Sequence, residues 1–363
     1  MITTSIFPGR YVQGAGAFAS LSSEIARLGS KALAVVDPAV SSFIAPALTS
    51  SSDVQITMEP FGGECSGIEI SRLVKSAAAS AANVIVGIGG GKALDTTKAV
   101  AYELGLPVVI APTLASTDAP CSALSVIYTP EGQFERYLVL PHNPNVVLVD
   151  SAVIVKAPVR FLVSGMGDAL STVFEAEDCL KSGATNMTGR VGSLTVHSLA
   201  RLCYDTLLTY GAAAKATAST GNVDDAVEKI IEANTLLSGL GFESGGLSGA
   251  HAIHNGLTAL APTHRFWHGE KVAIGAQALL HLTRRPKETI DAVYAFCASV
   301  GLPITLAEIG LVDPTDAELM QVAELACAPG ETIFNAPVTV TPEAVLAAIK
   351  AADARGRLQM QAR

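Results

Sequence analysis

The chain has 363 residues, which is long enough for two domains that each bury a hydrophobic core. Charged residues make up 16% of the chain and hydrophobic residues 49%, a composition that excludes intrinsic disorder. The net charge is −9, and the sequence has neither a Lys/Arg stripe nor a run of ~20 strongly apolar residues, so we expect no nucleic-acid or membrane partner.

Short β-branched runs alternate with helix-length segments in the N-terminal part of the chain. The pattern predicts strands at 31–37, 54–60, 83–88, 107–111 and 145–150, with a strand-like run at 122–128. It predicts helices at 17–28, 41–49, 68–81 and 93–104. This alternation is typical of a mainly parallel, Rossmann-like sheet, whose ligands bind at the carboxyl ends of the strands.

The C-terminal part has helical periodicity and few β-branched runs. Helices are predicted at 169–181, 191–209, 223–240, 246–260 and 274–283, with an Ala-rich loop or helix end at 211–220. The sequence therefore predicts an α/β domain over residues 1–157 and an all-α domain over residues 158–363. A ligand site would lie in the cleft between them.

A glycine-rich turn follows the predicted strand at 83–88 and opens a helix. Gly89, Gly90 and Gly91 would let the backbone approach a ligand, and the free amides of the helix start favour a phosphate. Lys92 adds to this, because a cation at a helix N-terminus is unfavourable unless an anion lies nearby. The alternative is an ordinary turn with a solvated lysine.

Two further polar positions follow predicted strands. Asp37 could accept hydrogen bonds from both hydroxyls of an adenosine ribose and would repel a 2′-phosphate, which favours NAD over NADP. Its alternative role is to form an Asp-Pro turn. The segment 113–128 contains hydroxyls and one carboxylate, Asp118, and is either a cofactor and substrate loop or an ordinary surface loop.

Histidines are concentrated in one short segment that contains His251, His254, His264 and His268. His251 and His254 are one helical turn apart, and imidazoles that converge with a carboxylate make a divalent-metal site. Asp168 can supply that carboxylate, although it is also placed to cap a helix that starts there. A histidine in a helix is otherwise an ordinary polar group.

The cysteines and the N-terminus indicate the compartment. The six cysteines are scattered without a Cys-x-x-Cys pair, and the first residues, MITTSIFPGR, lack the features of a secretory signal. We expect a reduced, cytoplasmic protein.

Five segments carry a resemblance: GIGGGKALDTTKA, PTLASTDAPCSALSVIYTPEGQFERY, SGMGDALSTVFEAE, GLSGAHAIHNGLT and HGEKVAIG. In this order and at these spacings they resemble the glycerol dehydrogenases of the iron-containing (group III) alcohol dehydrogenase superfamily, over nearly the whole chain. The resemblance implies a dehydroquinate synthase-like architecture with an active site between the two domains. It also implies NAD, a polyol substrate and a homo-oligomer, often an octamer.

The resemblance implies roles for individual residues. One Zn²⁺ per subunit would be held by Asp168, His251 and His268, which would be catalytic together with Asp118. Asp118 would contact substrate hydroxyls, and His254 would support a ligand or lie near the nicotinamide and substrate. NAD would contact Asp37, Gly89, Gly90, Gly91, Lys92, Thr113, Ser122, Leu124 and Tyr128. Iron enzymes of the superfamily have a His where this chain has Thr172, which favours zinc over Fe²⁺.

The expected reaction is reversible oxidation of glycerol, or a related vicinal diol, at the secondary hydroxyl. Two alternatives remain at this point. One is another NAD and metal enzyme of the same fold, such as glycerol-1-phosphate dehydrogenase or dehydroquinate synthase; it would need several cations for a phosphate, and Arg265 and Lys271 are the main ones nearby. The other is a non-catalytic protein that binds a metal or a nucleotide.

Overall fold

The computed structural model describes residues 2–48 and 53–361. Its N-terminal part contains a six-stranded sheet in which every neighbouring pair is parallel. The strands of this sheet are β1 (Tyr11–Gly14), β2 (Lys31–Val36), β3 (Gln55–Pro60), β4 (Val84–Gly89), β5 (Val108–Pro112) and β8 (Val146–Asp150), in the order β1-β8-β5-β4-β2-β3. A separate antiparallel hairpin consists of β6 (Leu124–Tyr128) and β7 (Phe134–Val139).

The sheet is covered on both faces because apolar residues occupy both sides of its central strands. Ala34 and Val86 point to one face and join a core with α1 (Leu21–Ala26) and α2 (Ser41–Ile44). Val35 and Ile85 point to the other face and join the larger core with α3 (Gly67–Ala79) and α4 (Gly91–Leu104). This larger core continues into the helical part of the chain, so the two parts pack together through apolar contacts.

The predicted parallel sheet is confirmed, and the five predicted strands within it are correct to within one residue at each end. The strand-like run at 122–128 is β6. Two strands were missed: β1 has four residues, and β7 is mostly exposed and contains charged residues. The predicted helix at 41–49 is α2 followed by a 3-10 turn, Ala45–Leu48, and its last residue lies outside the described residues.

The rest of the chain is helical, as predicted. After the short α5 (Ser151–Ile154) come α6 (Val159–Ser182), α7 (Leu194–Ala218), α8 (Asp225–Glu232), α9 (Ser238–Gly245), α10 (Gly249–Leu257), α11 (His268–Leu282), α12 (Lys287–Val300), α13 (Asp316–Ala326) and α14 (Pro342–Gln361). A π-helical turn, Ala233–Leu237, joins α8 to α9. Within the described residues, no helix is long and apolar enough to cross a membrane.

One boundary prediction is wrong in a way that concerns the site. The helix predicted to start near Asp168 begins at Val159, so Asp168 lies inside α6 and caps nothing. The last residue of the sheet is Asp150 and the first of α6 is Val159. The proposed domain boundary at 157/158 lies between them and stays a prediction.

Candidate active site

Three candidate metal ligands from three helices converge at one point. Asp168 is inside α6, His251 is in the first turn of α10, and His268 is the first residue of α11. Asp168 Oδ1 lies 3.4 Å from His251 Nε2 and 3.2 Å from His268 Nε2. One ligand atom from each residue lies within 4.8 Å of the others, an arrangement that suits a divalent cation.

Glycines explain how these helices come so close. A Cβ on Gly269 would lie 1.8 Å from the Ser164 carbonyl oxygen, and one on Gly167 would lie 2.3 Å from the Gly269 carbonyl oxygen. Gly165 approaches the Ala115 carbonyl in the same way, at 2.0 Å. Any side chain at these positions would push α6 away from α11 or from the 113–118 loop. The SGMG sequence therefore permits close packing inside a helix rather than marking its start.

Glu175 orients His251, and sequence reasoning missed it. Its buried carboxylate lies 2.6 Å from His251 Nδ1 through Oε2. Through Oε1 it accepts the backbone N–H groups of Ser248 and His251 at the start of α10. One carboxylate thus satisfies the helix N-terminus and directs His251 Nε2 toward Asp168. The sequence spacing could have indicated Glu175, because it is seven residues after Asp168 and therefore lies on the same face of α6.

His254 contacts a candidate ligand rather than the point of convergence. Its Nε2 lies 3.0 Å from His268 Nδ1, and its Nδ1 lies 3.2 Å from Asn255 Oδ1. Burial and the nearby His268 hold the pKa of His254 well below its ordinary value, so the ring is neutral. A neutral imidazole that donates at Nδ1 can accept the Nδ1–H of His268, which leaves His268 Nε2 free to bind a cation.

The electrostatics at Asp168 also suit a cation. Burial raises the pKa of this carboxyl group, but His268 and His251 outweigh burial and hold its pKa far below the ordinary range. Its buried Oδ1 faces the Nε2 atoms of these two histidines at 3.2 and 3.4 Å, but no contact with hydrogen-bond geometry reaches it from the described residues. When the two imidazoles are neutral, this buried, ionised oxygen has no compensating charge, and a bound cation would supply one.

Asp118 lies beside the three candidate ligands. Its backbone N–H donates to Asp168 Oδ2 at 3.3 Å, and its own Oδ2 accepts from the Ser238 hydroxyl at 2.7 Å. Burial and the Asp168 carboxylate raise the pKa of Asp118 well above its ordinary value. Thr172 is buried and lies 2.9 Å from the Ser238 hydroxyl, so its side chain belongs to this hydrogen-bond chain.

The predicted nucleotide residues lie at the carboxyl ends of neighbouring parallel strands. Asp37 follows β2, Gly89 ends β4, and Thr113 follows β5, its N–H bonded to the Gly89 carbonyl at 3.0 Å. A Cβ on Gly89 would lie 2.8 Å from Asp37 Cβ, so a side chain at position 89 would clash with Asp37. Asp37 Oδ1 also accepts the Ala39 N–H, as the turn alternative predicts.

The open part of this turn is at the start of α4. Gly90 precedes the helix, and a Cβ on Gly91 would meet nothing within 4 Å, so the helix start is accessible to a ligand. Lys92 does have an anionic partner, which is Glu64: the ammonium lies 2.6 Å from Glu64 Oε2 and 4.9 Å from the centre of the Tyr128 ring. The charge of Lys92 alone therefore does not require a phosphate.

Lys98, which sequence reasoning also missed, organises the loop that contains Ser122 and Leu124. This buried ammonium lies 2.9 Å from Asp95 Oδ1 and donates to the Ser122 hydroxyl at 3.2 Å. It also donates to the carbonyls of Ala119 and Leu124. The Ser122 side chain is thus engaged within the loop, and its contact with NAD stays a prediction.

Comparisons with known proteins place the chain in a family. The model of the family described as iron-containing alcohol dehydrogenase matches residues 8–151. A glycerol dehydrogenase of Thermotoga maritima is 60% identical over 99% of each chain. The crystal structure of glycerol dehydrogenase from Schizosaccharomyces pombe is 42% identical, with a TM-score of 0.95 over 99% of this chain and 93% of that one. A glycolaldehyde reductase of Halobacterium salinarum is 45% identical over 98% of each chain.

The parallel α/β sheet, the helical part with its cluster of candidate metal ligands, and the similarity to known dehydrogenases define an oxidoreductase of the alcohol dehydrogenase class. Within that class, the chain belongs to the iron-containing alcohol dehydrogenase family, and full-length relatives in that family are glycerol dehydrogenases.

Proposed function

We propose that the chain is an NAD-dependent glycerol dehydrogenase that converts glycerol reversibly to dihydroxyacetone at a zinc site. The observation that carries this proposal is the convergence of Asp168, His251 and His268 beside Asp118. The reaction removes a hydride from C2 of glycerol and transfers it to the nicotinamide of NAD⁺, while the proton of the C2 hydroxyl leaves to solvent. The products are dihydroxyacetone, NADH and a proton.

Asp168, His251 and His268 would hold the metal. A divalent cation in such a site supplies Lewis-acid polarisation of an alcohol oxygen. Two imidazole nitrogens and one carboxylate oxygen with an open fourth position are a catalytic zinc set. The Thr172 hydroxyl is hydrogen-bonded to Ser238, so Thr172 would not act as a ligand, and the site would have three protein ligands, as catalytic zinc sites do.

The other residues of the site bind and orient the reactants. Asp118 would contact the substrate hydroxyls, and the Ser238 hydroxyl, which donates to its Oδ2, would hold it in position. His254 would support His268 and border the substrate.

On the cofactor side, Asp37 would accept the ribose hydroxyls, and Gly89, Gly90, Gly91 and Lys92 would hold the pyrophosphate. Further contacts with NAD are proposed for Thr113, Ser122, Leu124 and Tyr128.

The alternatives have less support. A phosphorylated substrate needs several cations at the site. The two main candidates nearby are Arg265, which is exposed, and Lys271, which is buried. One relative is a glycolaldehyde reductase, so a small hydroxyaldehyde is a second substrate to test. A non-catalytic role would require a metal with no open coordination position.

We also propose a cytoplasmic homo-oligomer, with the octamer as the expected form. Free thiols at all six cysteines support a reducing compartment. Exposed Phe134, Tyr137 and Val139 on one hairpin support burial of this surface by another subunit.

The proposed function is tested with protein whose zinc content has been measured. We expect NADH formation with glycerol, 1,2-propanediol and 2,3-butanediol, and dihydroxyacetone as the product from glycerol. The reverse assay compares dihydroxyacetone with glycolaldehyde. Glyceraldehyde as the product, or a phosphorylated polyol as the better substrate, would contradict the proposal.

A further inference from the structure

An ion pair lies at the glycine turn that the proposed function assigns to the cofactor pyrophosphate. Lys92 Nζ lies 2.6 Å from Glu64 Oε2, and its side chain is 49% exposed, whereas that of Glu64 is 18% exposed. The same ammonium lies over the Tyr128 ring. Lys92 therefore already has a carboxylate partner at the position where a phosphate would need its charge.

Glu64 is the fixed partner of this pair. It belongs to the short segment after β3, and its Oε1 accepts the backbone N–H of Cys65 at 3.0 Å. The Cys65 carbonyl in turn accepts the N–H of Tyr128 at 2.8 Å. A Cβ on Gly132 would lie 3.1 Å from Glu64 Oε2, so the tip of the β6–β7 hairpin borders the carboxylate. Lys92, with its long exposed stem, is the partner that can move.

A pyrophosphate at this turn would meet both charges. In one case, the pyrophosphate attracts Lys92 away from Glu64. In the other, Lys92 stays paired, and the pyrophosphate binds an ammonium that is also hydrogen-bonded to the Glu64 carboxylate. Either way the ammonium contributes less to binding than a free lysine would, because part of its charge is already neutralised.

We propose that Glu64 limits the affinity of the enzyme for pyrophosphate-containing nucleotides by competing for Lys92. Glu64 is thus a residue that sets cofactor affinity through Lys92, without contact with the nicotinamide or the substrate. This inference rests on the proposed location of the pyrophosphate. It predicts that removing the negative charge improves cofactor binding, which is the reverse of what loss of a binding residue would do.

The test is isothermal titration of Glu64→Gln with NAD⁺, ADP-ribose and adenosine. At low ionic strength we expect NAD⁺ and ADP-ribose to bind about 2- to 5-fold more tightly than to the wild type, because an exposed ion pair contributes a modest free energy. Added salt should reduce this gain. Adenosine, which has no pyrophosphate, should bind equally to both proteins. Glu59→Gln is the matched control, because it removes the same charge from a residue paired with Arg72 near the end of β3.

The variant Lys92→Met tests the proposed pyrophosphate site separately from the role of Glu64. Lys92→Met should weaken binding of NAD⁺ and ADP-ribose, and adding Glu64→Gln to it should give a smaller gain than in the wild type. If Lys92→Met weakens binding but Glu64→Gln leaves it unchanged or weaker, the role of Glu64 is wrong and the pyrophosphate site stands. If Lys92→Met has no effect on either nucleotide, the proposed pyrophosphate site itself is wrong, and the inference fails with it.

Discussion

Glu175→Gln is the change that most sharply tests how the candidate metal ligands are oriented. The carboxylate receives three N–H groups: two from the backbone at the start of α10 and one from the His251 ring. An amide has one oxygen for these donors. If that oxygen accepts the two backbone N–H groups, the NH₂ group faces His251 Nδ1, which can accept only in the tautomer whose Nε2 carries the proton and cannot bind a cation. In the reverse orientation, the buried backbone N–H groups lose their acceptor, at a cost of about 1–3 kcal/mol each.

The effect on metal binding follows from the same contacts. His251 and backbone N–H groups hold the pKa of Glu175 below its ordinary value although burial raises it, so the native carboxylate is ionised. Its charge makes the His251 ring a better ligand and fixes its orientation. We expect Glu175→Gln to lower zinc affinity by about 10- to 100-fold, since loss of a partner behind a metal-binding histidine has effects of this size.

The assay is titration of metal-free protein with zinc against a competing chelator. Glu177→Gln is the control, because Glu177 is two residues further along α6 and pairs with Arg201 and Arg285 instead of a histidine. Denaturation of the metal-free proteins measures the structural cost separately. Zinc affinity of Glu175→Gln equal to that of Glu177→Gln would refute the orienting role.

Three further predictions concern the cofactor side and the contact between the two parts. Lys98→Met leaves Asp95 buried without its cation, so we expect the free energy of unfolding to fall by about 3–5 kcal/mol. The KM for NAD⁺ should rise while zinc affinity stays unchanged. An unchanged KM would contradict this prediction. Asp37→Ser should weaken NAD⁺ binding and lower the preference for NAD⁺, measured as kcat/KM with NAD⁺ divided by kcat/KM with NADP⁺. If this ratio is unchanged, Asp37 is only a turn residue. Burial raises the pKa of Glu243 to about 7, so the native protein loses stability as the pH rises through that value. The Tm of Glu243→Gln relative to wild type should therefore increase between about pH 5 and pH 8, and a constant difference would contradict the raised pKa.

The central sheet could be predicted from the sequence because its strands are continuous apolar runs and its glycine turn is local. β1 could not, since its four residues become a strand only by pairing with β8, Tyr11 opposite Val147. β7 is an exposed strand whose charged residues hide the alternation that a sequence pattern needs.

The sequence and its resemblance led to the three residues that converge, Asp168, His251 and His268, but not to the residues that orient them. The position of Asp168 inside α6 was misread because Gly165 and Gly167 suggested a helix start. Glycine inside a helix costs about 1 kcal/mol, and here Gly167 permits the close approach of Gly269 and Gly165 that of the Ala115 carbonyl. Contacts such as Glu64 with Lys92 join residues far apart in the sequence, and only the fold brings them together.

The most direct measurement is the rate of glycerol-dependent NADH formation as zinc is added stepwise to metal-free enzyme. We predict no turnover without metal, a linear rise and a plateau at one zinc ion per chain, and no rise at all in Asp168→Ala. Full turnover by metal-free wild-type protein, or a normal zinc-dependent rise in Asp168→Ala, would contradict glycerol oxidation at a metal held by Asp168, His251 and His268.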